Sequence, residues 1–432
     1  MCRVSFYTLG CKLNQSETDA IAAQFASRGY EVVPFRQRAD LTFINTCTVT
    51  NEADAKSRQV IRQAIKASPG GKIAAAGCYA QTNPRDVAAL DGIDFVLGTH
   101  EKHSLLDLLD GLGDENLDKP LLRVGDLETL RSYDKPPFIP ATGRTRAYLK
   151  VQDGCDYTCS YCIIPSARGQ GRSRSLLDCL REARSLVAKG YHELVLTGVN
   201  VGTWKDGSKL LPDLLDTISL ISGVLRIRIS SIEPNLVTDD LIGLIADRSN
   251  ICPHMHIPLQ HASNRILKAM RRRYMLEDYC EVVARLLSRL PDAAIGTDIM
   301  VGFPGETEDD FLSLTNAMQE LPLSYHHIFR YSERDGTVAS LMDGSVDQVL
   351  RKQRSRQLHL ISKRIAKTRI SRFLGQVREV LFEHEVDKGV WEGWTDNYLR
   401  VRVANSKIRQ GVIRLVLLQE QTDNGLTGEL AT

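Results

Sequence analysis

Three cysteines in the middle of the chain have a spacing that suits metal chemistry. They are Cys155, Cys159 and Cys162, and they follow directly after a predicted strand at residues 147–152. A cubane iron–sulfur cluster has four irons, and thiolates are its usual ligands. Three local thiolates bind three irons and leave the fourth iron open for a small-molecule ligand. The spacing therefore predicts such a cluster on a loop at the carboxyl end of a strand.

Two other interpretations compete for these three cysteines. A structural zinc site is closed by four ligands, but no further Cys or His lies within the twelve residues after Cys162. Three unrelated buried cysteines are the remaining alternative. Because only 10 of the 432 residues are cysteine, three of them at one short, preset spacing favour a shared ligand.

Cys11, Cys47 and Cys78 form a second trio, which is scattered along the sequence. The carboxyl ends of parallel strands meet at one edge of a sheet, where ligands bind. Each cysteine follows the end of one of three predicted strands, at residues 4–9, 41–46 and 73–76. The trio can therefore hold a second cluster with one open iron. Spacing alone leaves open the alternative of three small buried residues that end strands.

The elements around both trios alternate between strand and helix patterns. Residues 1–125 predict a parallel sheet with crossover helices. A Gly- and Pro-rich stretch runs from about Gly111 to Arg144, and residues 126–144 are predicted to be a linker. Residues 145–366 contain six further strand–helix cycles of roughly 30 residues each, which fit a partial or complete α/β barrel. The predicted barrel strands are residues 147–152, 193–197, 225–230, 254–258, 294–301 and 326–331.

The last part of the chain changes character twice. Residues 351–372 form a basic segment with nine Lys or Arg and no Asp or Glu. Its spacing is helical, and a solvated helix face and a phosphate-contacting surface are equally open interpretations. Residues 367–432 then contain short β-rich runs at 377–382, 398–403 and 412–418. This pattern predicts a small antiparallel β-domain.

Length and composition indicate a protein with several well-packed domains. A prior of about 150 residues per domain gives two to four domains, and 43% hydrophobic with 25% charged residues is ordinary. The net charge of +2 does not by itself demand a nucleic-acid partner. No apolar run approaches the ~20 residues of a membrane span, and the first ten residues do not resemble a secretory signal. We therefore expect a cytoplasmic protein whose thiols are ligands, nucleophiles or buried apolar groups rather than disulfides.

The residues around both trios resemble the radical S-adenosylmethionine methylthiotransferase family. The motif at residues 155–162, with Tyr161 before its last cysteine, is similar to the signature of radical S-adenosylmethionine enzymes. The run Arg168-Gly-Gln-Gly-Arg172-Ser-Arg174 and the N-terminal cysteine trio are similar to those of methylthiotransferases. The resemblance spans nearly the whole chain and includes a C-terminal β-domain similar to the TRAM RNA-binding module.

The segment around Cys11 indicates a branch of this family. Its sequence, TLGCKLNQSE, is closest to the branch that modifies N6-threonylcarbamoyladenosine in tRNA. The isopentenyladenosine branch usually has Gln-Met after this cysteine, and the branch that modifies a ribosomal-protein aspartate usually has Pro-Lys. Here Lys12-Leu13 matches neither of the other two branches.

The resemblance implies a fold of the α/β class with three parts. These are a flavodoxin-like N-terminal parallel-sheet domain, a radical S-adenosylmethionine partial (β/α)6 barrel and a TRAM-like C-terminal β-domain. It implies two [4Fe-4S] clusters, one on each trio, and S-adenosylmethionine as cofactor. The barrel cluster would generate a 5′-deoxyadenosyl radical, and the N-terminal cluster would deliver the sulfur. The implied product carries a methylthio group at adenine C2 of position 37, next to the anticodon.

The implied partners are a tRNA substrate, an external one-electron reductant of the flavodoxin or ferredoxin type and a sulfur source, without a membrane. The expected contacts to S-adenosylmethionine are Tyr161, Thr197, Gly198, Asn200, Ser231, Glu233 and Gly302. The expected RNA contacts are Arg168, Arg172, Arg174, Arg364, Lys367 and Arg369, with residues 271–273 as a further basic surface. Where the family usually has Gln-Ser-Gly-Ser, this chain has Gln260-His261-Ala262-Ser263, and His261 is expected to be a solvated loop histidine.

Three functions remain to be separated. The first is a tRNA methylthiotransferase acting on threonylcarbamoyladenosine, with isopentenyladenosine as its alternative substrate. The second is a methylthiotransferase acting on a ribosomal-protein aspartate; the basic segment favours RNA, but the ribosome is also rich in RNA. The third is an iron–sulfur electron carrier or redox sensor. A carrier normally closes its cluster with four thiolates, so two sets of three cysteines count against it.

Overall fold

The computed structural model of the chain describes residues 2–112, 119–130, 133, 144–423 and 425–431. Its N-terminal part is a six-stranded parallel sheet in the order β2-β1-β3-β4-β5-β6, with an apolar core on each face. This is the flavodoxin-like strand order, which reverses between β1 and β3. The elements are β1 Arg3–Thr8, α1 Lys12–Ser27, β2 Glu31–Val33, β3 Leu41–Thr46, α2 Asn51–Ala67, β4 Lys72–Gly77, α3 Cys78–Thr82, α4 Pro84–Ala88, β5 Phe95–Leu97, α5 Leu105–Leu112 and β6 Leu121–Arg123.

All three strands predicted for this sheet are present, but β2, β5 and β6, of three residues each, were not predicted. β6 lies inside the Gly- and Pro-rich stretch that we interpreted as a linker region, and it pairs in parallel with β5. A strand of three residues is too short to show an alternating pattern, so only its partner reveals it. Of the predicted linker, residues 131–132 and 134–143 lie outside the described residues.

Six parallel strands form the partial barrel that the sequence predicted. They lie in two three-stranded sheets, β13-β10-β7 and β14-β15-β16, which are joined by bridges between Ile227 and Ile251 and between Ser231 and His256. Within the described part of the chain β7 and β16 do not pair, so the barrel is open on that side. The N-terminal part covers the opening, because α1 contacts β7 and Arg334 after β16 pairs with Asp54 of α2 at 2.6 Å.

The strands of this region are β7 Arg146–Lys150, β8 Gln152–Asp153, β9 Arg172–Ser173, β10 Glu193–Thr197, β11 Lys205–Asp206, β12 Lys209–Leu210, β13 Arg226–Ile229, β14 His254–His256, β15 Ala294–Val301 and β16 Tyr325–Arg330. Its helices are α6 Ile164–Arg168, α7 Leu176–Ala188, α8 Leu211–Ser219, α9 Asp239–Asp247, α10 Asn264–Ala269, α11 Leu276–Arg289 and α12 Glu308–Glu320.

Alternation along the barrel strands divides their side chains between two environments. Ile227 and Ile229 of β13 pack into the core between strands and helices. The residue between them, Arg228, therefore points to the opposite side, which is the barrel interior. By the same alternation His254 and His256 flank the core residue Met255 and also face inward. The barrel interior is thus lined by polar side chains, unlike the apolar interior of a fully packed barrel.

The C-terminal part is a long helix followed by a closed five-stranded barrel. The barrel order is β17-β18-β19-β21-β20, and closure leaves no exposed strand edge. The expected small β-domain is confirmed, but it is not wholly antiparallel, because β19 and β21 pair in parallel. The helix α13 runs across the predicted boundary between residues 366 and 367. The elements are α13 Gln348–Ser371, β17 Val377–Asp387, β18 Val390–Thr395, β19 Arg400–Ala404, β20 Ile413–Thr422 and β21 Gly425–Leu430.

The β-domain caps the amino-terminal end of the partial barrel. Arg226 donates to the carbonyl oxygens of Trp394 at 3.0 Å and Glu379 at 2.9 Å, and Tyr398 packs against His254 with ring centroids 4.5 Å apart. The opposite, carboxyl-terminal end of the strands is where this fold builds its active sites. No helix in the described part of the chain is both long enough and apolar enough to cross a membrane.

Candidate iron–sulfur sites and their surroundings

The N-terminal trio lies together at the carboxyl edge of the first sheet. Cys11 follows β1, Cys47 follows β3, and Cys78 begins α3 directly after β4. Because β1 and β3 flank the point where the strand order reverses, this edge forms the crevice in which such sheets bind ligands. The Cys78 sulfur lies 4.0 Å from the side-chain oxygen of Asn14, which is three residues after Cys11 and whose amide donates to the Thr46 carbonyl, next to Cys47, at 3.0 Å. The structure thus brings together three thiols that are up to 67 residues apart in sequence.

Glycines next to the cysteines make this approach possible. Gly10 has a φ of +94°, and a Cβ on it would lie 2.8 Å from the Cys47 sulfur. Gly77, before Cys78, has a φ of +93°, and its Cβ would lie 2.3 Å from the Asn45 side-chain oxygen. Both positions therefore exclude a side chain on conformational and on steric grounds.

We expect Gly10→Ala to impair the N-terminal cysteine site. A residue with a Cβ pays roughly 1–2 kcal/mol in the left-handed region, and the new methyl group would displace the Cys47 sulfur. Iron analysis after anaerobic reconstitution should show less iron per chain than in the wild type. Gly29→Ala is the matched control, because its φ is +84° but nothing lies within 4 Å of its Cβ position. Equal iron content in Gly10→Ala and wild type would contradict this account.

The second trio lies in the loop between β8 and α6, at the carboxyl end of the first barrel strand. All three thiols are partly exposed. The loop is held by its backbone: Cys155 N–H donates to the Gly169 carbonyl at 3.0 Å, and Cys162 N–H donates to the Cys159 carbonyl at 3.1 Å. The Tyr157 N–H donates to the Cys155 sulfur at 3.4 Å. The loop therefore places three sulfurs at the face where barrel enzymes bind substrates.

The chemistry of both trios fits a multi-iron cluster better than zinc. Burial raises the pKa of the Cys47 and Cys162 thiols to about 12, so three thiolates require a compensating cation. A tetrahedral zinc with Zn–S bonds of ~2.3 Å would hold its sulfurs ~3.8 Å apart. Among the described residues, neither trio brings its three sulfurs within 4.8 Å of one another. That wider spacing suits a cluster of several irons.

A buried amide at the end of β10 lacks partners and can serve a ligand. Asn200 is 4% exposed, yet neither of its side-chain polar atoms has a hydrogen-bond partner among the described residues. Because an unpaired buried amide is costly, the site fits a polar ligand such as S-adenosylmethionine. The turn is fixed by Gln152, whose side-chain oxygen accepts from Val199 N–H and Asn200 N–H at 2.9 Å. Thr197 is buried at the strand end, and a Cβ on Gly198 would meet the same Gln152 oxygen at 2.9 Å.

Arg272 connects the barrel cysteine loop to another predicted cofactor contact. Its guanidinium lies 3.2 Å from the Cys159 sulfur and 3.3 Å from the Tyr161 hydroxyl, and it pairs with Glu233. We expected residues 271–273 on an RNA-binding surface, but the Arg272 side chain is 3% exposed. The prediction is wrong for Arg272, because its contacts with the Glu233 carboxylate and the Cys159 sulfur keep its side chain inside the protein. No local spacing signals a partner 113 residues away.

A group of polar side chains extends from the barrel interior to the surface. His256, Asp298 and His327, on three adjacent strands, place their ligand-type atoms within 4.8 Å of one another. The hydroxyl oxygen of Ser231, a predicted cofactor contact, lies 2.9 Å from His256 Nδ1. Although burial raises it, the neighbouring imidazoles of His256 and His327 hold the pKa of Asp298 below its ordinary value; His327 Nδ1 lies 3.2 Å from the carboxylate. Alternation along β14 puts His254 and His256 on one face, but nothing in the sequence indicates their partners.

The loop after β14 differs from expectation at His261, which packs against the loop after β15. Gly302 has a φ of +75°, and its N–H donates to a Glu306 carboxylate oxygen at 2.7 Å. His261 is fully buried, with Nε2 3.5 Å from the same carboxylate, so the prediction of a solvated histidine is wrong. The reason is the left-handed φ of 62° at Gln260, which turns the chain inward.

Three of the six predicted RNA contacts lie inside the protein. Arg168, Arg172 and Arg174 are 1%, 8% and 5% exposed. Arg168 pairs with Glu17 at 3.0 Å and Arg174 pairs with Glu182. A buried guanidinium that already has a carboxylate partner cannot reach a phosphate, so the structure corrects the prediction for these three arginines. Docking of the N-terminal part onto the barrel covers Arg168, whereas Arg172 and Arg174 find their hydrogen-bond partners within the barrel region.

Arg168 belongs to a buried group of charges that joins the N-terminal part to the barrel. We call Glu17, Lys102, Lys150, Asp153 and Arg168 the interdomain charge cluster. Glu17 accepts from Lys102 at 2.5 Å, Lys150 at 2.7 Å and Arg168 at 3.0 Å, and Asp153 accepts from Lys150 at 2.8 Å and Arg168 at 2.9 Å. Against the effect of burial, the charges of Arg168 and Lys102 hold the pKa of Glu17 well below its ordinary value.

This cluster lies between the two cysteine trios. Arg168 ends α6, six residues after Cys162, and Glu17 lies in α1, six residues after Cys11. Arg168 also donates to the Asn14 side-chain oxygen at 2.6 Å. Asn14 in turn donates to the backbone carbonyls of both strand ends that precede Cys11 and Cys47, at 2.8 and 3.0 Å. The two cysteine loops are therefore fixed relative to each other through side chains.

The other predicted RNA contacts lie on or near the outer face of α13. Arg364 and Lys367 are exposed, and Arg369 is partly buried over the Phe373 ring. The basic segment is not uniformly solvated, because Arg351 and Arg354 are buried and paired with glutamates. Its exposed cations are Lys352, Arg356, Lys363, Arg364, Lys367 and Arg372.

Comparison with known proteins identifies the family. Residues 149–318 match the Radical SAM superfamily, and residues 3–98 match the "Uncharacterized protein family UPF0004". The chain is 42% identical over 411 residues to "Threonylcarbamoyladenosine tRNA methylthiotransferase MtaB" of Bacillus subtilis, covering 93% of this chain and 90% of that protein. It is 36% identical to the protein of the same name in Thermotoga maritima, covering 99% and 96%. It is 30% identical to "tRNA-2-methylthio-N(6)-dimethylallyladenosine synthase" of Thermodesulfovibrio yellowstonii, covering 98% and 97%.

Solved structures confirm the fold class. The radical S-adenosylmethionine methyltransferase TsrM from Kitasatospora setae matches with a TM-score of 0.56 and 17% identity, covering 76% of this chain and 73% of that one. The radical enzyme OxsB matches with a TM-score of 0.51 and 11% identity, covering 84% and 56%. From its domains and its relatives, the chain belongs to the radical S-adenosylmethionine methylthiotransferase family, enzymes of the transferase class that depend on a [4Fe-4S] cluster and S-adenosylmethionine.

Proposed function

We propose that this enzyme inserts a methylthio group at C2 of N6-threonylcarbamoyladenosine at position 37 of tRNA, next to the anticodon. The observation that carries the proposal is the arrangement of two three-cysteine sets, each at strand carboxyl ends, joined by the interdomain charge cluster. The choice of substrate is supported by relatives of that name, which are 36% and 42% identical over most of the chain.

The roles of the residues follow from their positions. Cys155, Cys159 and Cys162 would hold one [4Fe-4S] cluster, and the N-terminal trio would hold a second. When bound, the first cluster with S-adenosylmethionine supplies the radical that an unactivated C–H bond requires, and the second supplies the sulfur. The side chains around the barrel trio would orient the cofactor. The Asn200 amide offers it a donor and an acceptor, and Arg272 holds the Glu233 carboxylate beside Cys159.

The RNA must present a single base to this interior. A base in an anticodon loop can be splayed out of its stack, and enzymes that modify base edges take the base out. Arg364, Lys367 and Arg369, together with the β-domain, would hold the phosphates, so affinity should fall as salt rises. A flavodoxin- or ferredoxin-like one-electron reductant and a sulfur source complete the proposal, and we place the reaction in the cytoplasm.

Deletion of the gene tests the proposal. Mass spectrometry of tRNA nucleosides should show that methylthiolated threonylcarbamoyladenosine disappears while its unmethylthiolated precursor accumulates. A plasmid with the wild-type gene should restore the product, and one with Cys155→Ala should not. Persistence of the product at wild-type level, in a strain without a paralogue, would contradict the assignment.

The isopentenyladenosine activity is the second candidate, because a relative named for dimethylallyladenosine is 30% identical over 98% of the chain. The reconstituted enzyme can be offered two anticodon stem–loops that differ only in the N6 substituent of the target adenosine. We expect methylthiolation of the threonylcarbamoyl RNA. A clear preference for the isopentenyl RNA would reverse the assignment.

A further inference from the structure

Two histidines and one aspartate on neighbouring barrel strands bring three metal-ligand atoms together. His256 ends β14, Asp298 lies in β15 and His327 lies in β16. Asp298 and His327 occupy partner positions in the parallel pairing of β15 with β16. Among the described residues, this is the one set of three or more Cys, His, Asp or Glu side chains whose ligand-type atoms all lie within 4.8 Å of one another. The fold therefore gathers donor atoms at a place outside both cysteine trios.

The distances within this group suit a single metal ion. One oxygen of Asp298, Oδ1, lies 3.1 Å from His256 Nε2 and 3.2 Å from His327 Nδ1. Ligand atoms bound ~2.1 Å from one ion, at angles of roughly 90–110°, stand roughly 3.0–3.4 Å apart. The two measured distances fall in that range. The side chains thus have the spacing of neighbouring ligands without any movement of the strands that carry them.

The ring nitrogen of His256 that faces this group has no partner. His256 is 8% exposed, and its Nε2 forms no hydrogen bond with any described residue. Because Asp298 Oδ1 is close enough to accept, the missing bond reflects direction: the oxygen lies off the line of the ring N–H. On the other side of the ring, Nδ1 lies 2.9 Å from the Ser231 hydroxyl. If Nδ1–H donates to Ser231, Nε2 presents a lone pair to the group, which is how metal-ligating histidines are held.

The charge of Asp298 is not balanced by a basic side chain. Its carboxylate is mostly buried, and its ion-pair contacts in the described part of the chain are with the two imidazoles and not with any lysine or arginine. Removing a carboxylate from water without a cation beside it is costly. A divalent ion bound between the three side chains would offset that cost.

Two imidazoles and one carboxylate form a donor set that zinc and iron(II) use, whereas magnesium and calcium prefer oxygen ligands alone. We propose that His256, Asp298 and His327 bind one divalent transition-metal ion, separate from both cysteine trios. Three protein ligands leave a coordination position for a water molecule, as in catalytic zinc sites. The His327 side chain is 54% exposed, which gives the ion a path from solvent. This site goes beyond the proposed function and does not depend on it.

Zinc binding to the anaerobically reconstituted full-length enzyme tests this site. Loosely bound metal is first removed with a chelator, and the enzyme is then dialysed to equilibrium against buffered Zn²⁺. Elemental analysis should show one zinc per chain beside the iron. We expect His327→Ala and Asp298→Asn to weaken zinc binding by roughly tenfold or more, because loss of a residue that merely supports a ligand already costs about 10–100-fold.

His384→Ala is the matched control for these variants. Its side chain is 57% exposed, and its Nε2 lies 3.6 Å from a Glu392 oxygen, so it is also a surface histidine beside a carboxylate. It lies outside the group of three and should bind zinc within twofold of the wild type. The iron content of each variant, measured in the same samples, should equal that of the wild type and so shows that a loss of zinc is not a loss of the fold.

X-ray absorption at the zinc edge identifies the ligands of the bound ion. We expect nitrogen and oxygen neighbours at ~2.0–2.2 Å and no sulfur at ~2.3 Å. A sulfur neighbour would place the zinc at a cysteine trio and overturn the inference. Wild-type zinc affinity in either His327→Ala or Asp298→Asn would overturn it too, as would a wild-type enzyme that retains no zinc. None of these results would touch the proposed function, which is judged by the RNA product.

Discussion

Replacing Cys11 with alanine is expected to abolish methylthio insertion while leaving cleavage of S-adenosylmethionine largely intact. Cys11 belongs to the trio at the edge of the first sheet, whereas the predicted cofactor contacts lie at the ends of the barrel strands. Four irons per cubane give about eight irons per reconstituted wild-type chain, and about four should remain in Cys11→Ala. Mass spectrometry of 5′-deoxyadenosine and of the RNA product, together with iron analysis, measures all three quantities.

Two further variants complete this experiment. Cys155→Ala should lose both cofactor cleavage and product, because its trio would bind S-adenosylmethionine. Cys252→Ala is the control, since Cys252 is buried outside both trios, and it should keep its iron and both activities. Equal loss of cofactor cleavage in Cys11→Ala and Cys155→Ala would refute the division of roles between the two sites.

Replacing Glu17 with alanine should destabilise the protein more than any surface change. Glu17 is buried and accepts from Lys102, Lys150 and Arg168. Removing one partner of a buried ion pair costs about 3–5 kcal/mol, because the remaining charge is left uncompensated. Differential scanning calorimetry should show the first unfolding transition at a clearly lower temperature than in the wild type.

Arg181→Ala is the matched control for this prediction. Arg181 also forms an ion pair, with Asp178 at 3.2 Å, but its side chain is 74% exposed. Exposed pairs contribute about 0–1 kcal/mol, so this variant should unfold close to the wild type. A Glu17→Ala protein as stable as Arg181→Ala would show that the interdomain charge cluster does not hold the two parts together.

Much of the fold was predictable because local patterns fix it. The strands at residues 41–46, 193–197 and 294–301 form with the predicted bounds. Each is a run rich in apolar and β-branched residues, a pattern that is typical of a buried strand. Several strands were missed because they are short or contain glycine. β2, β5 and β6 have three residues each, and β11 and β12 have two, as do β8 and β9. β18 and β21 contain glycines at which the barrel strands approach closely. Their pairing depends on neighbours distant in sequence.

Part of the candidate site was also predictable from the sequence. Strand topology alone brings Cys11, Cys47 and Cys78 to one edge, so their convergence was predictable. The positions of Arg168 and Arg272 were not. Arg168 depends on how the N-terminal part docks on the barrel, and Arg272 depends on barrel partners that are 39 and 113 residues away in sequence. A run of arginines looks the same in sequence whether it faces phosphate or glutamate. The family relationship also sets aside the interpretation as an electron carrier.

The position of Glu17 limits how the N-terminal part of this enzyme can be exchanged for that of another protein. Its carboxylate comes from the N-terminal part, whereas Lys150 and Arg168 come from the barrel. A chimaera that takes its first 125 residues from another protein would keep the barrel's two cations but need a donor with an acid at the same place. The two halves of this enzyme are therefore not interchangeable modules: they must be exchanged, and have to evolve, as a matched pair.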